Sequence, residues 1–381
     1  EVFLITSRSS GIKSCQNYSH NQLLNVEEKV NTVLLNGPLI STGFNLKRIF
    51  SWFIFEVRLL YWAFKNKKNT PAIIIVSSLS ILTFLSGTLL KRIFNAKLIC
   101  EVRDIWPLTL TEMKGWKKWN PFVFCLSRIE RFGYKNADII IGTMPNLKEH
   151  VSKVYKNSQN KVFCVETGLD EDFLDKHILT TSLSSEAFRE AFLKEDRFVV
   201  GYAGSFGYAN CIEQIIDCAV LVREKSVCFY LLGDGPLKND IKTKIKALGL
   251  ENVKLFDHVP KEHIQDFLKN CDLLVNPWRK LPTLYQYGVS PNKWIDYMYS
   301  GRPILVCYDG FKSMINEAGC GRIIEAANPQ CMADAVLDFS NMTKQDLNAM
   351  GLRGRKYVLE KLNYSVLSKK YLSIIQNDFT R

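Results

Sequence analysis

Short apolar runs alternate with stretches of helical spacing along most of the chain. Runs such as Lys97–Val102 (KLICEV) and Val227–Leu232 (VCFYLL) are rich in apolar residues with little polar alternation. Runs of this kind suit parallel strands that are covered on both faces, with helices as the connections between them. The pattern therefore predicts an α/β protein with doubly wound, mostly parallel sheets.

A polar stretch divides this pattern into two series. Residues 171–196 are rich in Asp, Glu, Ser and Thr and contain one short helical pattern, near Glu186–Lys194. We therefore expect an N-terminal Rossmann-like domain at 1–175, a linker at 176–196 and a C-terminal Rossmann-like domain at 197–358. The length of 381 residues is enough for two domains.

The sequence also leads to expectations about the two ends of the chain. Val2–Thr6 has the composition of a strand, and the first residue is Glu rather than Met. We expect that the first strand of the N-terminal domain precedes the sequence. Residues 343–380 have helical spacing throughout, and 359–381 are expected to form a C-terminal helix that packs back on the N-terminal domain.

One segment has the length of a membrane span. Pro71–Leu90 contains no charged residue, and a bilayer core needs about 20 apolar residues. The alternative is a strand at Ala72–Val76, a polar Ser77-Ser78 turn and a helix at about Ser80–Phe94. Several Ser and Thr residues dilute the apolar run, and the β-branched cluster suits a buried strand. We therefore favour the strand and the helix.

The segment before it, Leu46–Lys68, combines basic and aromatic residues. It has six basic residues, one acidic residue and seven aromatic residues. It is either a long core-facing helix with snorkelling cations or a helix that lies on an anionic membrane surface.

Composition limits the classes of function. Fifty Lys and Arg against 38 Asp and Glu give a net charge of +12, which favours an anionic partner. The eleven Cys form no C-x-x-C pair, and we interpret them as small buried hydrophobes in a reducing compartment. Five His and the lack of a suitable D-x-D sequence argue against a metal site, so we expect no metal cofactor.

Two glycine-rich turns follow strands of the second series. Gly201–Gly207 includes Gly204 and Ser205, and Gly233-Asp234-Gly235-Pro236 follows the next strand. Ligands bind beyond the carboxyl ends of parallel strands, and glycine lets a ligand approach the backbone closely.

A third segment, Gly288–Pro303, predicts a short helix at the same edge of the sheet. Ser290 suits the N-cap position and Pro291 the first helical position, while Gly301 is placed to end the helix. The free N–H groups of its first turn suit a phosphate. Lys293 adds a positive charge, and Asp296, one turn further, suits ribose hydroxyl groups.

The combination of motifs resembles a known family. The S-P-N-K sequence at Ser290–Lys293, continued by Asp296-Tyr297-Met298 and Gly301-Arg302-Pro303, resembles the donor-binding helix of retaining glycosyltransferases of the family-4 type with the GT-B fold. Arg103-Asp104-Ile105-Trp106-Pro107 resembles the R-D-x-W-P motif of bacterial members in O-antigen, capsule and exopolysaccharide synthesis. Gly233–Pro236 and Thr167–Asp170 also resemble sequences of this family. The resemblance implies two Rossmann-like domains that face a cleft.

The resemblance also implies a function. It implies transfer of a sugar, with retention, from a nucleotide-diphosphate sugar to a polyprenyl-diphosphate-linked saccharide at the inner face of a bacterial membrane. The resemblance implies UDP as the nucleotide, because members of the family commonly use it. It also implies that no metal is required. The segment 46–68 would contact the membrane surface.

The implied site residues fall into two groups. Catalytic roles fall to Asp104, which would orient or deprotonate the acceptor, to Arg103, which would hold a phosphate, and to Lys293. The alternative for the first two is an Arg–Asp pair that fixes the loop beside Trp106. The donor-binding residues would be Gly204, Ser205, Gly233, Asp234, Gly235, Arg279, Ser290, Pro291, Asn292, Lys293 and Asp296.

The sequence departs from the family pattern at two places. Many relatives have an acidic residue at the position of Gly288, and Asp296 stands here where they have Glu. The loop Ser205–Cys211 has no basic residue, although many relatives bind the diphosphate with an Arg and a Lys there. Lys293, Arg279 or Lys280 would have to take that role.

Two other functions are alternatives to sugar transfer. A non-hydrolysing nucleotide-sugar epimerase would need acid and base groups in the cleft, and the five His are poorly placed for that. A nucleic-acid-binding protein would need a clustered basic face with stacking aromatic residues, whereas Lys and Arg are spread along this chain.

Overall fold

The computed structural model describes residues 1–7, 23–27, 30–37, 46–68, 70–171 and 186–379. The chain divides into two compact units. The first unit contains Glu1–Gly142 and Lys148–Phe163, and the second contains Thr143–Leu147 and Cys164–Arg381. The first part of the expected linker, residues 176–185, lies outside the described residues.

The first unit contains two sheets with helices between the strands. In chain order its elements are β1 (Val2–Ser7), β2 (Leu23–Glu27), β3 (Val30–Leu35), α1 (Leu46–Lys65), β4 (Ile73–Ser77), α2 (Thr83–Phe94), β5 (Lys97–Val102), α3 (Leu108–Lys114), α4 (Pro121–Asn136), β6 (Ile139–Gly142), α5 (Leu147–Val154) and β7 (Val162–Cys164).

The larger sheet of this unit has the strand order β4-β5-β6-β7, and β5 pairs in parallel with both β4 and β6. The smaller sheet has the order β1-β3-β2, with β3 parallel to β1 and antiparallel to β2. Strand β5 is central, and its residues Leu98, Ile99 and Cys100 are fully buried. The hydrophobic run that predicted this strand therefore forms the core of the unit.

The uncharged segment is a strand followed by a helix. Strand β4 and helix α2 occupy Ile73–Ser77 and Thr83–Phe94, as the β-branched cluster and the serine-rich turn predicted. Among the helices that the structure describes, none combines the length and the hydropathy needed to cross a bilayer.

Helix α1 has two unlike faces. Trp52, Leu59 and Ala63 are buried, and the last two pack in a small core with β3 and α2. The opposite stripe is exposed and consists of Phe50, Phe53, Val57, Tyr61 and Phe64. The helix itself was predicted, but the exposed stripe is larger than a helix that only faces a core requires.

The second unit is built on one sheet. Its elements are α6 (Glu186–Leu193), β8 (Phe198–Ala203), α7 (Ile212–Leu221), β9 (Val227–Leu232), α8 (Lys238–Ala247), β10 (Val253–Phe256), α9 (Lys261–Asn270), β11 (Leu273–Pro277), α10 (Pro282–Tyr285), α11 (Asn292–Tyr299), β12 (Ile304–Cys307), α12 (Met314–Ala318), β13 (Gly321–Ile324), α13 (Pro329–Ser340), α14 (Lys344–Lys361) and α15 (Tyr364–Phe379).

This sheet has six strands, all parallel, in the order β10-β9-β8-β11-β12-β13. A hydrophobic cluster lies on each face, and every residue of β9 is buried. The order reverses beside β8, so the strand ends of β8 and β11 form a switch point at which α/β proteins bind ligands.

The helical C-terminus is interrupted, so the C-terminal helix expected at 359–381 begins later, at Tyr364. Helix α14 ends at Lys361 and α15 begins at Tyr364. Between them the carbonyl of Leu362 accepts a hydrogen bond from the Leu169 N–H (2.9 Å), and the Leu169 carbonyl accepts one from Tyr364 (3.0 Å). The backbone breaks because these groups pair with the segment around Leu169 instead of continuing the helix. Both helices belong to the second unit.

The cysteines behave mainly as small apolar side chains. Among the described residues ten cysteines are free, and Cys100, Cys218, Cys228, Cys271 and Cys307 are among the buried ones. Burial raises the pKa of Cys271 well above its usual value, so its thiol stays protonated and unreactive.

Candidate functional site

Two glycine turns at the carboxyl ends of β8 and β9 pack directly against each other. The Phe206 N–H donates to the Asp234 carbonyl (2.8 Å), and the Gly204 N–H donates to the Leu232 carbonyl (3.0 Å). A Cβ atom at Gly233, whose φ is 153°, would lie 1.9 Å from the Gly204 carbonyl oxygen. Glycine is therefore required for the backbone of the two turns to approach this closely.

The turns border a pocket of about 350 Å³ in the second unit. Four of the predicted residues line it: Gly204, Ser205, Gly233 and Asp234. Gly235 lies behind them, where a Cβ atom would be 2.7 Å from the Phe206 carbonyl oxygen.

Three further lining residues were not predicted from sequence. They are His258, Val259 and Ile264, which follow β10 or lie on α9. The Val259-Pro260 loop carries no motif, and the one available signal was that β10 ends at the same edge of the sheet. Together with Ala203 and Leu232 they give the pocket mainly apolar walls.

The short helix α11 begins at the same edge, but its cap differs from the prediction. Pro291 is the N-cap residue, with extended backbone angles, and the first helical residue is Asn292. The Ser290 hydroxyl instead accepts the Thr167 N–H (3.1 Å), and the Ser290 carbonyl accepts the Thr167 hydroxyl (2.9 Å). The interpretation of Ser290 as the cap was wrong because Thr167 occupies its side chain.

The first turn of α11 offers unpaired backbone donors. Within the part of the chain that the structure describes, the N–H groups of Asn292 and Lys293 have no hydrogen-bond acceptor, whereas Trp294 donates to the Pro291 carbonyl (3.1 Å). Unpaired donors at a helix N-terminus favour an anion. Gly301, with a φ of 74°, follows the helix as predicted.

Lys293 turns its side chain from this helix toward the Gly204 turn. Its Nζ atom donates to the Tyr202 hydroxyl (3.0 Å) and to Asn210 Oδ1 (2.9 Å), and it lies 4.5 Å from the centre of the Tyr202 ring. No carboxylate among the described residues forms an ion pair with it. Burial lowers the pKa of Lys293 from 10.5 to about 7. Tyr202 and Asn210 were missed from sequence because only the fold brings them to Lys293.

Asp296 lies one turn further along α11 and is half-buried. Burial raises the pKa of its carboxyl group, and the charge of Lys261 opposes part of that rise. Gln265 donates to the Asp296 backbone carbonyl (3.0 Å), while the carboxyl group has no hydrogen-bond partner among the described residues. The carboxyl group is therefore available for a ligand hydroxyl.

The backbone at Gly288 disfavours the acidic residue that the family resemblance implies for this position. Its φ is 85°, a conformation that side chains rarely adopt, and a Cβ atom would lie 2.6 Å from the Pro145 ring. Any larger residue at position 288 would be strained and would collide with Pro145.

The two other candidate cations differ from each other. Lys280 is paired with Glu325 (2.8 Å) and lies 3.7 Å from Asp309. Arg279 is exposed and forms no ion pair among the described residues, and its charge opposes the rise that burial causes in the pKa of Cys211. Because Lys280 is already paired with carboxylates and Arg279 is not, Arg279 is the more available second cation.

Arg103 and Asp104 belong to the first unit, at the end of β5. The Ser78 hydroxyl accepts the N–H groups of Arg103 (2.8 Å) and Asp104 (3.2 Å) and donates to the Asp104 carbonyl (3.1 Å). The Arg103 side chain pairs with Glu101 (2.9 Å) rather than with Asp104. The alternative reading of an Arg–Asp pair was therefore wrong, and the loop is held by Ser78.

Within the described ranges, no group of three or more His, Cys, Asp or Glu side chains is arranged to hold a metal ion.

The family match and the two relatives described next are all named as transferases. Residues 197–341 match the family described as glycosyl transferases group 1. The chain is 20% identical over 341 residues to the probable glycosyltransferase WbjE of Pseudomonas aeruginosa, with 89% of this chain and 81% of the relative covered. It is 30% identical over 181 residues to alpha-D-kanosaminyltransferase of Streptomyces kanamyceticus, and the match covers 45% of each protein.

Solved structures show the fold. Sucrose-phosphate synthase from Thermosynechococcus elongatus has a TM-score of 0.74 at 14% identity and covers 100% of this chain and 99% of that one. Anabaena Alr3699/HepE, solved in complex with UDP and glucose, has a TM-score of 0.65 at 14% identity, with 91% and 86% covered. The expected GT-B fold is confirmed, and the domain match and the named relatives support a transferase.

Proposed function

We propose that this glycosyltransferase takes its sugar from a nucleotide-diphosphate donor, UDP-linked in the first instance, and transfers it with retention at the anomeric carbon. The acceptor is a polyprenyl-diphosphate-linked saccharide at the inner face of a bacterial cytoplasmic membrane. The product then enters O-antigen or capsule synthesis. The reaction uses no metal cofactor.

The observation that carries the proposal is the uncompensated amine of Lys293 beside the first turn of α11. Sugar transfer places negative charge on the departing diphosphate as positive charge develops on the sugar. A partly buried cation and two unpaired N–H groups at fixed positions stabilise that charge more in the transition state than in the ground state. Exposed Arg279, which forms no ion pair among the described residues, would supply a second positive charge.

The pocket beside the glycine turns suits the nucleoside. Its volume of about 350 Å³ lies in the range of small-molecule sites, and its walls are mainly apolar. A planar base would lie against Val259 and Ile264, and the Asp296 carboxyl group would accept hydroxyl hydrogen bonds. The Anabaena HepE protein, solved in complex with UDP-glucose, agrees with this choice of nucleotide.

The first unit would bind the acceptor. Asp104 would orient or deprotonate the acceptor hydroxyl, and Arg103 would hold a phosphate group in exchange for its exposed ion pair with Glu101. If Asp104 only orients the hydroxyl, an oxygen of the donor phosphate would take its proton. The acceptor oxygen attacks the anomeric carbon directly as the diphosphate leaves, so no protein nucleophile is required.

Helix α1 supports a membrane-bound acceptor. Val57 and Tyr61 are 67% and 68% exposed on its apolar stripe, and exposed Lys47 and Lys65 flank them. The single acidic residue of the helix, Glu56, is buried. An exposed apolar stripe with basic flanks is typical of helices on anionic lipid.

The proposal is tested by the thermal stability of the protein with UDP. UDP at 100 times its dissociation constant should stabilise the native state by about 2.7 kcal/mol. The change Lys293→Ala should remove most of this shift, because it removes the partly buried cation. The matched control is Lys280→Ala, whose amine is already paired with Glu325. An equal shift in wild type and Lys293→Ala would contradict the proposed site.

A further inference from the structure

Strands β8 and β11 separate before β8 ends. The pairing of β11 with β8 stops at Gly201, whereas β9 pairs with β8 as far as Ala203. Backbone groups alternate in direction along a strand, and the Val199 carbonyl accepts the Asp272 N–H just before β11 (2.8 Å). The N–H and C=O groups of Ala203, four residues later, therefore also point to the side that β11 has left. Ala203 is buried, and buried backbone groups are almost always paired, so these two need another partner.

The hydroxyl group of Tyr297 pairs with both of these backbone groups. The Ala203 N–H donates to the Tyr297 Oη atom (2.8 Å), and the hydroxyl donates to the Ala203 carbonyl (3.0 Å). A tyrosine hydroxyl has a single proton to donate, so these two bonds use its proton and one of its acceptor sites. Tyr297 is 1% exposed. One buried side-chain oxygen therefore replaces the pairing that β11 no longer provides.

These two hydrogen bonds join helix α11 to a turn that borders the pocket. Tyr297 lies four residues after Lys293 and hence on the same side of α11, and Ala203 comes directly before Gly204. The Lys293 side chain lies against the same turn, because a Cβ atom at Gly204 would be 2.8 Å from the Lys293 Cε atom. Its Nζ atom donates to Tyr202. Helix α11 is therefore joined to the end of β8 at two successive helical turns.

The two connections differ in their relation to a bound diphosphate. The Lys293 amine is the group that the diphosphate would contact, so its bonds to Tyr202 and Asn210 compete with the ligand. The Tyr297 hydroxyl is buried and already bonded to the backbone of β8, so a ligand does not compete with its bonds. The Tyr297 connection can therefore hold α11 in the same place with and without the donor.

We propose that Tyr297 is a positioning residue of the donor site, which holds the first turn of α11 at a fixed distance from the Gly204 turn. The Lys293 amine and the N–H groups of Asn292 and Lys293 then face the diphosphate before it arrives. Groups that are fixed in advance bind more tightly, because less conformational freedom is lost on binding. The inference rests on the proposed function, since it names the residue that arranges its diphosphate-binding groups.

The test compares two buried tyrosines in the full chain by titration calorimetry with UDP. Tyr297→Phe removes the hydroxyl and keeps the ring, and it should lower the affinity for UDP by roughly tenfold, because α11 is no longer held to β8. The matched control is Tyr230→Phe. Tyr230 is also fully buried, and its hydroxyl is bonded to the Ala191 carbonyl and to Glu195 (both 2.9 Å), outside the donor site. This variant should lose thermal stability and keep its affinity for UDP.

The pH dependence of UDP binding separates positioning from a merely structural role. Burial lowers the pKa of Lys293 to about 7. Its amine faces Asn210 and the Tyr202 hydroxyl, and burial raises the pKa of Tyr202, so neither partner is charged. If α11 moves away from β8 in Tyr297→Phe, water reaches the amine and its pKa rises. The pH at which the affinity falls should then move up by about one unit, whereas Tyr230→Phe should keep the wild-type profile.

Three results would contradict the positioning role. They are wild-type UDP affinity in Tyr297→Phe, an equal loss in Tyr230→Phe, and a loss in Tyr297→Phe without a change in the pH profile. A measurement on wild type alone adds a fourth check, because the Ala203 amide should exchange its hydrogen slowly without UDP. Fast exchange there would show that the hydroxyl does not hold the end of β8.

The same titrations test the proposed function separately. Wild type that binds no UDP would contradict the donor assignment itself, and the positioning role with it. Binding that is lost in Lys293→Ala but unchanged in Tyr297→Phe would contradict the positioning role and leave the donor assignment in place.

Discussion

The amine of Lys293 gives donor binding a defined pH dependence. Burial lowers the pKa of Lys293 to about 7, so much of the free protein carries a neutral amine near neutral pH. A diphosphate favours the protonated amine, and donor binding should therefore take up a proton. The affinity for UDP should weaken as the pH rises through about 7, and titration calorimetry from about pH 6 to 9 measures this.

Lys293→Arg is the control for that prediction. A guanidinium group stays charged over this whole range, so the pH dependence should become flat even if the affinity is lower. A wild-type affinity that does not change with pH would mean that another group holds the diphosphate.

Gly288 should be less tolerant of substitution than another glycine with a similar backbone. Gly288→Ala adds a clash with Pro145 to the strain of a positive φ, whereas Gly301→Ala, at a φ of 74°, meets nothing within 4 Å. We expect a loss of about 1 kcal/mol for Gly301→Ala and about 2–4 kcal/mol for Gly288→Ala. Chemical denaturation of both variants compares them, and equal losses would show that Pro145 moves aside freely.

Sequence motifs found the charged residues of the site but not their partners. Lys293 and Asp296 stand in a continuous motif, so spacing along the chain was enough. Tyr202 and Asn210, the partners of Lys293, come from β8 and the loop after it, and His258, which lines the pocket, follows β10. Tyr202 stands within the predicted Gly201–Gly207 turn, but no local pattern marks its contact with Lys293, because that contact depends on the tertiary fold.

At the scale of secondary-structure elements, helix α1 leads to the strongest prediction, which concerns binding to anionic membranes. Changing exposed Lys47 and Lys65 to Glu should lower binding to phosphatidylglycerol vesicles by tenfold or more, since each basic residue near an anionic surface contributes about 1 kcal/mol and its reversal costs a similar amount. Vesicle sedimentation measures the bound fraction.

The matched control changes exposed Lys225 and Lys246 of the second unit to Glu, which alters the net charge equally. If both double variants lose binding to the same extent, the overall charge and not the helix is responsible.

Buried strands were predicted best. Two of them, Lys97–Val102 and Val227–Leu232, have the bounds that their apolar runs indicated. The break at Leu362–Asn363 was missed because the sequence there keeps helical spacing, and only the pairing with Leu169 interrupts it. Helix α3 was also missed, because its seven residues are too few for a clear period.

At the scale of the whole molecule, the alternation of strands and helices was enough to predict two α/β units. Burial on both faces of parallel sheets leaves a strong hydrophobic signal, so the fold class follows from the pattern. The division of the chain was harder to predict, because Thr143–Leu147 belongs to the second unit while its neighbours on both sides belong to the first. Nothing in the amino-acid composition of this short segment marks it as part of the second unit.

Binding of UDP should slow amide hydrogen exchange near the donor site and leave the first unit unchanged. Amide hydrogen exchange should slow at Gly204–Asn210 and at Asn292 and Lys293 when UDP is added. Residues Leu98, Ile99 and Cys100 of β5 in the first unit, which are already fully buried, should exchange at an unchanged rate and serve as the internal control. Slowing confined to the first unit would place the nucleotide elsewhere.

The contact between Gly288 and Pro145 also has an evolutionary consequence. A single mutation that introduces glutamate at position 288 would meet the proline ring before it could reach any sugar. A smaller residue at position 145 would remove this clash but not the strain of the positive φ at position 288. An acidic side chain at position 288 therefore needs a local change of backbone as well as a change at position 145.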